Sequence, residues 1–248
     1  MPNNNASGAK AELNKNPEHV AIILDGNRRF AKQLMLKPWM GHEWGKKKVG
    51  KLFEWCVELG VKELTLYAFS VENFNRPKEE FDYIMKLFRE ACAQLKSDSR
   101  LQEKGKKLGI RIRFLGRLEM FPEDIQKLMH ELTEKTSKNT GLTVNFCMAY
   151  GGRQEITDAA KRMTADVENG KLSSAEINEE TFKKYLYMPE EPDLIIRTGG
   201  EQRLSGFLLY QSSYAELFFL AKLWPEFEKE DLVRVIEEFK QRNRRFGK

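Results

Sequence analysis

The sequence predicts an α/β fold: a single domain with a mostly parallel central sheet flanked by helices. Short β-type runs, such as HVAIIL from His19 to Leu24 and ELTLYAFS from Glu63 to Ser70, alternate with amphipathic helical stretches, as βα units do. The 248 residues are 41% hydrophobic and 32% charged, enough apolar material for a core beneath a solvated surface. No internal repeat and no long low-complexity linker divides the chain. Residues 17–248 therefore read as one domain. Residues 1–16 are polar, lack the apolar stretch of a secretory signal, and read as a disordered leader.

Each element follows from local pattern. His19 to Leu24 is the first strand, ended by Asp25-Gly26-Asn27, and Phe30 to Leu36 is helical until Pro38 interrupts it. Lys46 to Leu59 places Val49, Leu52, Phe53, Cys56 and Val57 at helical spacing, with Gly60 as a stop. Glu63 to Ser70 is the second strand, and Val71 to Pro77 a polar loop. Pro77 opens a long helix from Glu79, with Phe81, Ile84, Met85, Phe88 and Cys92 on one face. Strict alternation makes Arg111 to Leu115 a strand. A helix from Pro122 to Lys138 and a strand from Leu142 to Tyr150 follow, the strand ending at Gly151-Gly152-Arg153. After a helix from Gln154 to Val167, Asp193 to Arg197 is a strand running into Thr198-Gly199-Gly200. Ala215 to Leu220 is the last strand and Glu230 to Arg242 the final helix.

Composition excludes several function classes. No run of 18 apolar residues offers a membrane-spanning helix. Cys56, Cys92 and Cys147 lie far apart without C-x-x-C spacing, which disfavours a disulfide framework or zinc site and fits buried thiols in a reducing cytoplasm. The 42 basic residues barely exceed 37 acidic ones, and no basic stripe interleaves with exposed aromatics, so no nucleic-acid partner is expected. No G-x-G-x-x-G follows a strand. Gly41 to Lys46 has the wrong spacing for a phosphate loop and is followed by Lys47 rather than Ser or Thr.

Chemistry concentrates just after the C-terminal ends of the expected strands, where open parallel sheets bind ligands. Four loops there carry Arg28, Arg29, Arg76, Arg153, Arg197 and Arg203, with Gly26, Gly152, Gly199 and Gly200 exposing backbone amides. Guanidinium groups around glycine-rich turns suit diphosphates, because arginine donates in pairs and stays charged. Asp25 is the one carboxylate ending an apolar strand at this rim. It can hold Mg²⁺ against phosphate oxygens, or equally cap the helix that follows. His42 is a proton carrier or a structural histidine. Tyr67, Phe69, Phe74, Phe81 and Phe88 are core aromatics unless something long and apolar must be housed.

Five segments in register then resemble one family. HVAIILDGN from His19 to Asn27 followed by Arg29, with Gly41-His42, is similar to the opening motif of cis-prenyltransferases, the undecaprenyl diphosphate synthase family. LTLYAFS from Leu64 to Ser70 with Glu72 to Pro77 resembles the second motif. DLIIRTGGE from Asp193 to Glu201, with Arg203, Ser205 to Gln211 and Tyr214-Ala215-Glu216, resembles the last core motif, and Arg245-Phe246-Gly247 the terminal R-x-G.

The resemblance implies a homodimer of protomers, each with a hydrophobic tunnel between sheet and helices. It implies condensation of isopentenyl diphosphate with an allylic diphosphate such as the farnesyl or geranyl compound, with Mg²⁺ as cofactor. By that analogy Asp25 holds the metal, assisted by Glu216 of the partner subunit. Gly26, Asn27, Arg28, Arg29, Phe30 and His42 surround the allylic diphosphate, with Phe74 and Arg76 also contacting substrate. Arg197, Arg203 and Ser205 bind isopentenyl diphosphate. Ser70, Asn73 and His42 handle protons, and Arg245 and Gly247 complete the partner's diphosphate site. A cytoplasmic enzyme is implied, with peripheral membrane contact because a long product is a lipid.

The chain departs from the family pattern at Arg28 (usually Gly), Pro38 (usually Arg, with Lys37 adjacent) and Ala149 (usually Asn). Phe30, Phe74 and Tyr210 stand where Trp is common. Two alternatives are a non-catalytic subunit of a heteromeric prenyltransferase and a member catalysing non-head-to-tail coupling. The presence of Asp25, Arg29, Arg197, Arg203 and Glu216 argues against the first. A trans-type enzyme would need aspartate-rich D-D-x-x-D motifs, which the sequence lacks.

Overall fold

Apolar runs that must bury both faces become the middle strands of a six-stranded, wholly parallel sheet in the computed structural model, which describes residues 16–97 and 99–242. The strands are β1 (His19–Ile23), β2 (Glu63–Ser70), β3 (Arg111–Leu115), β4 (Thr143–Tyr150), β5 (Leu194–Arg197) and β6 (Glu216–Phe219). Their spatial order is β3-β4-β2-β1-β5-β6. β1 is buried along its whole length, whereas the edge strand β3 begins exposed. Most of the expected leader, and the expected Arg245 and Gly247, lie outside the described residues.

The helices are α1 (Asn27–Gln33), α2 (Gly41–Glu58), α3 (Lys78–Ser97), α4 (Ser99–Lys107), α5 (Glu123–Thr136), α6 (Gly152–Glu168), α7 (Glu179–Lys183) and α8 (Lys229–Gln241). Alternation along β1 sends Val20 and Ile22 to one face, with Leu52 and Cys56 of α2 and Leu232, Val235 and Ile236 of α8. Ala21 and Ile23 point to the other, with Tyr150, Phe207 and Leu208. A third cluster joins Phe69, Met85, Phe121, Ile125 and Met129 under α3 and α5. The three cysteines are buried thiols outside any disulfide, and burial pushes the Cys56 thiol up to about 12.

The strand order places the site. From β1 the chain moves one way to β2, and later passes to β5 on β1's other side. Loops leaving β1, β2 and β5 therefore diverge at one edge, the switch point where open α/β sheets form a crevice. Two differences from the sequence reading matter here. α2 begins at Gly41 rather than Lys46, because a Cβ at Gly41 would lie 1.8 Å from the Asn27 carbonyl oxygen; glycine lets α2 start against α1. α1 ends at Gln33 rather than Leu36, and Leu34 to Leu36 form the turn that closes it.

Candidate active site

β1 stops at Ile23, and the next residues deliver a carboxylate to the crevice. The Asp25 carbonyl accepts from Thr198 Oγ1 (2.8 Å) and from the Trp224 amide (2.9 Å), which fixes the backbone. No side chain caps α1, so the capping role left open for Asp25 is not the one it takes. Its Oδ2 instead accepts from Arg197 Nη2 at 2.9 Å, and its Oδ1 pairs with Arg29 Nη2 at 3.2 Å. Residues 172 apart in sequence thus meet because β1 and β5 are neighbours that end together.

Arg197 is the centre of this half-site. Its side chain is 6% exposed, donates Nη1 to Ser205 Oγ at 2.8 Å and to the Arg203 carbonyl, and leaves Nε buried without a hydrogen-bond partner among the described residues. Arg29 Nη1 donates to the Gly199 carbonyl at 2.6 Å. Gly199 has φ +90, and a Cβ there would lie 2.4 Å from Arg29 Nη2 and 3.3 Å from Asp25 Cγ. Only glycine allows both charged groups to close on that turn.

Behind the Ser205 loop lies a buried carboxyl. Glu155 of α6 accepts from the Tyr187 amide (2.9 Å), Gln211 Nε2 (3.0 Å) and the Tyr150 hydroxyl, tying Gly151-Gly152 to the segment that presents Ser205. Burial pushes its pKa up. Ala149 has φ 47, a left-handed conformation that asparagine tolerates better, which rationalises the residue usual there.

A second half-site forms where α1, α2 and the turn after β2 meet α3. Glu80 of α3 has a fully buried side chain. Its Oε1 accepts from Arg76 Nη1 at 2.8 Å and faces His42 Nε2 at 3.4 Å; Arg28 Nε approaches Oε2 at 3.8 Å. His42 Nε2 also lies 3.2 Å from Arg76 Nη1, so the ring nitrogen serves one of these partners at a time. The contact with His42 and the charges of Arg76 and Arg28 hold the Glu80 carboxyl below its ordinary range against the opposing effect of burial. Arg28, where the family usually has glycine, thus supplies a second guanidinium to one carboxylate.

Sequence reasoning missed Glu80. It stands in the first turn of α3, where acids are ordinary, yet it follows Arg76 by four residues and precedes Ile84 by four, so it lies on the stripe that α3 buries. A lone acid on an apolar stripe was the available signal.

Burial pushes the pKa values of His42 and His19 below the ordinary 6.5. The folded protein therefore binds fewer protons than the unfolded chain just below that value. The stability they contribute is complete above pH 6.5 and declines as pH falls through it. We expect the urea midpoint advantage of the wild type over His19→Asn to shrink between neutrality and about pH 5.5. A gap independent of pH would refute this for His19.

Other expected site residues separate into groups. Asn73 Oδ1 accepts from the Ser70 amide at 3.1 Å, so this pair holds the 3₁₀ turn Val71–Asn75. Gly26 is the left-handed residue before α1, and Asn27 Nδ2 donates to the Leu24 carbonyl at 3.1 Å. Phe30 packs on Trp44, and Phe74 packs with Phe69, Phe81 and Phe121 beneath the rim. Arg203 turns outward to Glu201 and Arg153 is exposed. Glu216 is not brought to Asp25 within the chain: it starts β6, opposite Leu194 at the far edge of the sheet, and pairs with Arg242 at 2.9 Å.

Comparison with known proteins bears on the family and the fold. The family model described as "Putative undecaprenyl diphosphate synthase" matches residues 23–247. The tritrans,polycis-undecaprenyl-diphosphate synthase (geranylgeranyl-diphosphate specific) of Thermococcus kodakarensis is 49% identical over 94% of this chain and 87% of its own length. An isoprenyl transferase of Thermotoga maritima is 46% identical over 93% and 97%. The crystal structure of lavandulyl diphosphate synthase from Lavandula x intermedia, in complex with dimethylallyl diphosphate, superposes with a TM-score of 0.85 at 34% identity, covering 94% of this chain and 99% of that one. On sequence and fold together, the chain belongs to the cis-prenyltransferases, the undecaprenyl diphosphate synthase family.

Proposed function

We propose that this chain, through a catalytic domain spanning residues 17–248, condenses isopentenyl diphosphate with an allylic primer, geranylgeranyl diphosphate, to a longer polyprenyl diphosphate. The observation that carries the reading is Asp25 clamped between Arg29 and Arg197, with a second cationic cluster beside it. The primer follows from two relatives, each 49% identical, that are geranylgeranyl-diphosphate specific.

Asp25 fits a Mg²⁺ ion: it is a partly exposed carboxylate, no group of three or more His, Cys, Asp or Glu converges among the described residues, and Mg²⁺ commonly takes one carboxylate plus substrate phosphates. Bound there, the ion would neutralise charge on the departing diphosphate. Arg28, Arg29, His42 and Arg76 grip the allylic diphosphate, and Arg197, Ser205 and Arg203 the isopentenyl diphosphate. The allylic C–O bond breaks with its electron pair on diphosphate. The isopentenyl double bond attacks the resulting cation, and the C2 proton passes to a diphosphate oxygen. Converging guanidinium groups stabilise the anion as it forms.

The growing chain occupies the layer between α3 and the sheet, beside the half-buried Phe74, Phe81, Ile84 and Phe88. The tunnel implied by the resemblance is assigned to that layer, above the buried Met85. A homodimer brings the partner subunit's Glu216 toward the metal, with Arg245 and Gly247 completing the neighbouring site. Among the described residues no helix is long and apolar enough to cross a membrane. Because a long polyprenyl product is a lipid, the reading includes peripheral contact of a cytoplasmic enzyme with a bilayer.

Purified protein given Mg²⁺, isopentenyl diphosphate and geranylgeranyl diphosphate should release diphosphate and yield a longer chain by mass spectrometry. No turnover with geranylgeranyl, farnesyl or geranyl primers would reject the reading.

A further inference from the structure

The turn that closes α1 is apolar and exposed. Leu34 is 47% exposed and Met35 95%. The turn is a helix C-cap: the Met35 amide donates to the Lys32 carbonyl at 3.0 Å and the Leu36 amide to the Ala31 carbonyl at 2.9 Å. Met35 takes φ 57, the left-handed conformation for which glycine is the usual residue. A thioether chain stands in water on a backbone that disfavours any side chain, and at 95% exposure it gains no packing that would offset either cost. Strain kept on an apolar tip points to a role outside the folded protomer.

The surroundings select what covers it. From Gly26 to His42 the chain carries Arg28, Arg29, Lys32 and Lys37 and no acidic residue. Lys32 and Lys37 are exposed on either side of the tip. Lys37 Nζ lies 5.3 Å from the centroid of Trp39, a half-buried ring at its base. Apolar side chains flanked by lysines, with an indole behind them, match the layering of a bilayer surface. The aliphatic groups enter the acyl boundary, the indole sits at the interface, and the cations stay with anionic headgroups.

The geometry points to Leu34 and Met35 as an insertion tip that docks this chain on an anionic lipid bilayer, with Lys32, Lys37 and Trp39 at headgroup level. For its purpose the inference rests on the prenyltransfer reading, which it deepens by naming the contact. α1 starts at the diphosphate crevice and is only about 10 Å long. Docking by its far end holds the crevice next to the lipid into which a polyprenyl product partitions.

The test is co-sedimentation of the full chain with phosphatidylcholine vesicles, with and without phosphatidylglycerol. The wild type should bind the anionic vesicles. Leu34→Ser/Met35→Gly should bind them at least about tenfold more weakly, while keeping its fold, since Met35→Gly relieves the strained φ. Lys32→Gln/Lys37→Gln should lose about fivefold per charge, and only on anionic vesicles. Equal binding by wild type and Leu34→Ser/Met35→Gly overturns the proposal, as does a wild type that stays in the supernatant while the vesicles pellet. A changed oligomeric state of the variant in sedimentation velocity assigns the tip to a contact between copies and also overturns it. Turnover on a water-soluble primer is expected to survive in Leu34→Ser/Met35→Gly. A wild type without turnover would count against the prenyltransfer reading and leave the vesicle result standing.

Discussion

Asp25→Ala should lower kcat at least about 100-fold with the protein still folded, the scale seen when a strong electrostatic stabiliser is removed from an active site. The carboxylate is free to act on a ligand because it carries no structural duty in α1, whose first turn is uncapped by any side chain. It is partly exposed, at the one place where Arg29 and Arg197 converge. Removing it leaves Arg197 nearly buried with one partner fewer, a loss of about 1–3 kcal/mol that urea unfolding would register. A bound diphosphate can restore that pairing, so the loss should fall on kcat more than on substrate KM. Asp25→Asn keeps the volume and should be impaired almost as much. Near-normal turnover in either variant would remove Asp25 from the proposed metal role.

Glu80→Ala is expected to destabilise the protein by about 3 kcal/mol, because removing one partner of a buried ionic cluster leaves like charges facing one another. Arg76, Arg28 and His42 come from three different elements and all reach this one carboxylate. Without it, Arg76 and Arg28 repel, and the turn that carries Arg76 loses its register with α2. KM for the allylic substrate should therefore rise together with the loss of stability. Glu80→Gln, which retains a hydrogen-bond acceptor, should cost less on both counts. The sign of the pH dependence is set by the lowered carboxyl pKa. Its stabilisation is present above the ordinary value of 4.5 and is lost as pH falls through the folded-state value, so wild type and Glu80→Gln should converge in acid. An unchanged urea midpoint and unchanged KM in Glu80→Ala would contradict this account.

Asp25, Arg29, Arg197 and Ser205 were legible because each stands at a strand end or in the glycine-rich turn after one. Apolar runs such as Val20–Leu24 mark where a parallel strand stops, and ligands gather at such ends. Glu80 was hidden because its helix-start position offers an ordinary explanation. The resemblance assigned Glu216 to the metal of the partner subunit's site, and within its own chain β6 begins away from Asp25. Met35 was read as helical because no glycine or asparagine announces the left-handed turn that the backbone takes there. α4 escaped notice because its residues, SRLQEKGKK, are largely charged and carry no apolar stripe.

Periodicity and turn chemistry are local, and from them alone came the alternation of strands and helices, the strand ends and the arginines and aspartate placed there. Strand order, and with it the pairing of Asp25 with Arg197 across 172 residues, came from the folded sheet. So did the gathering of Arg28, His42 and Arg76 on Glu80. The reason is physical: a charge spaced far along the chain finds its partner only after burial has packed the elements between them, and short-range pattern carries no record of that packing.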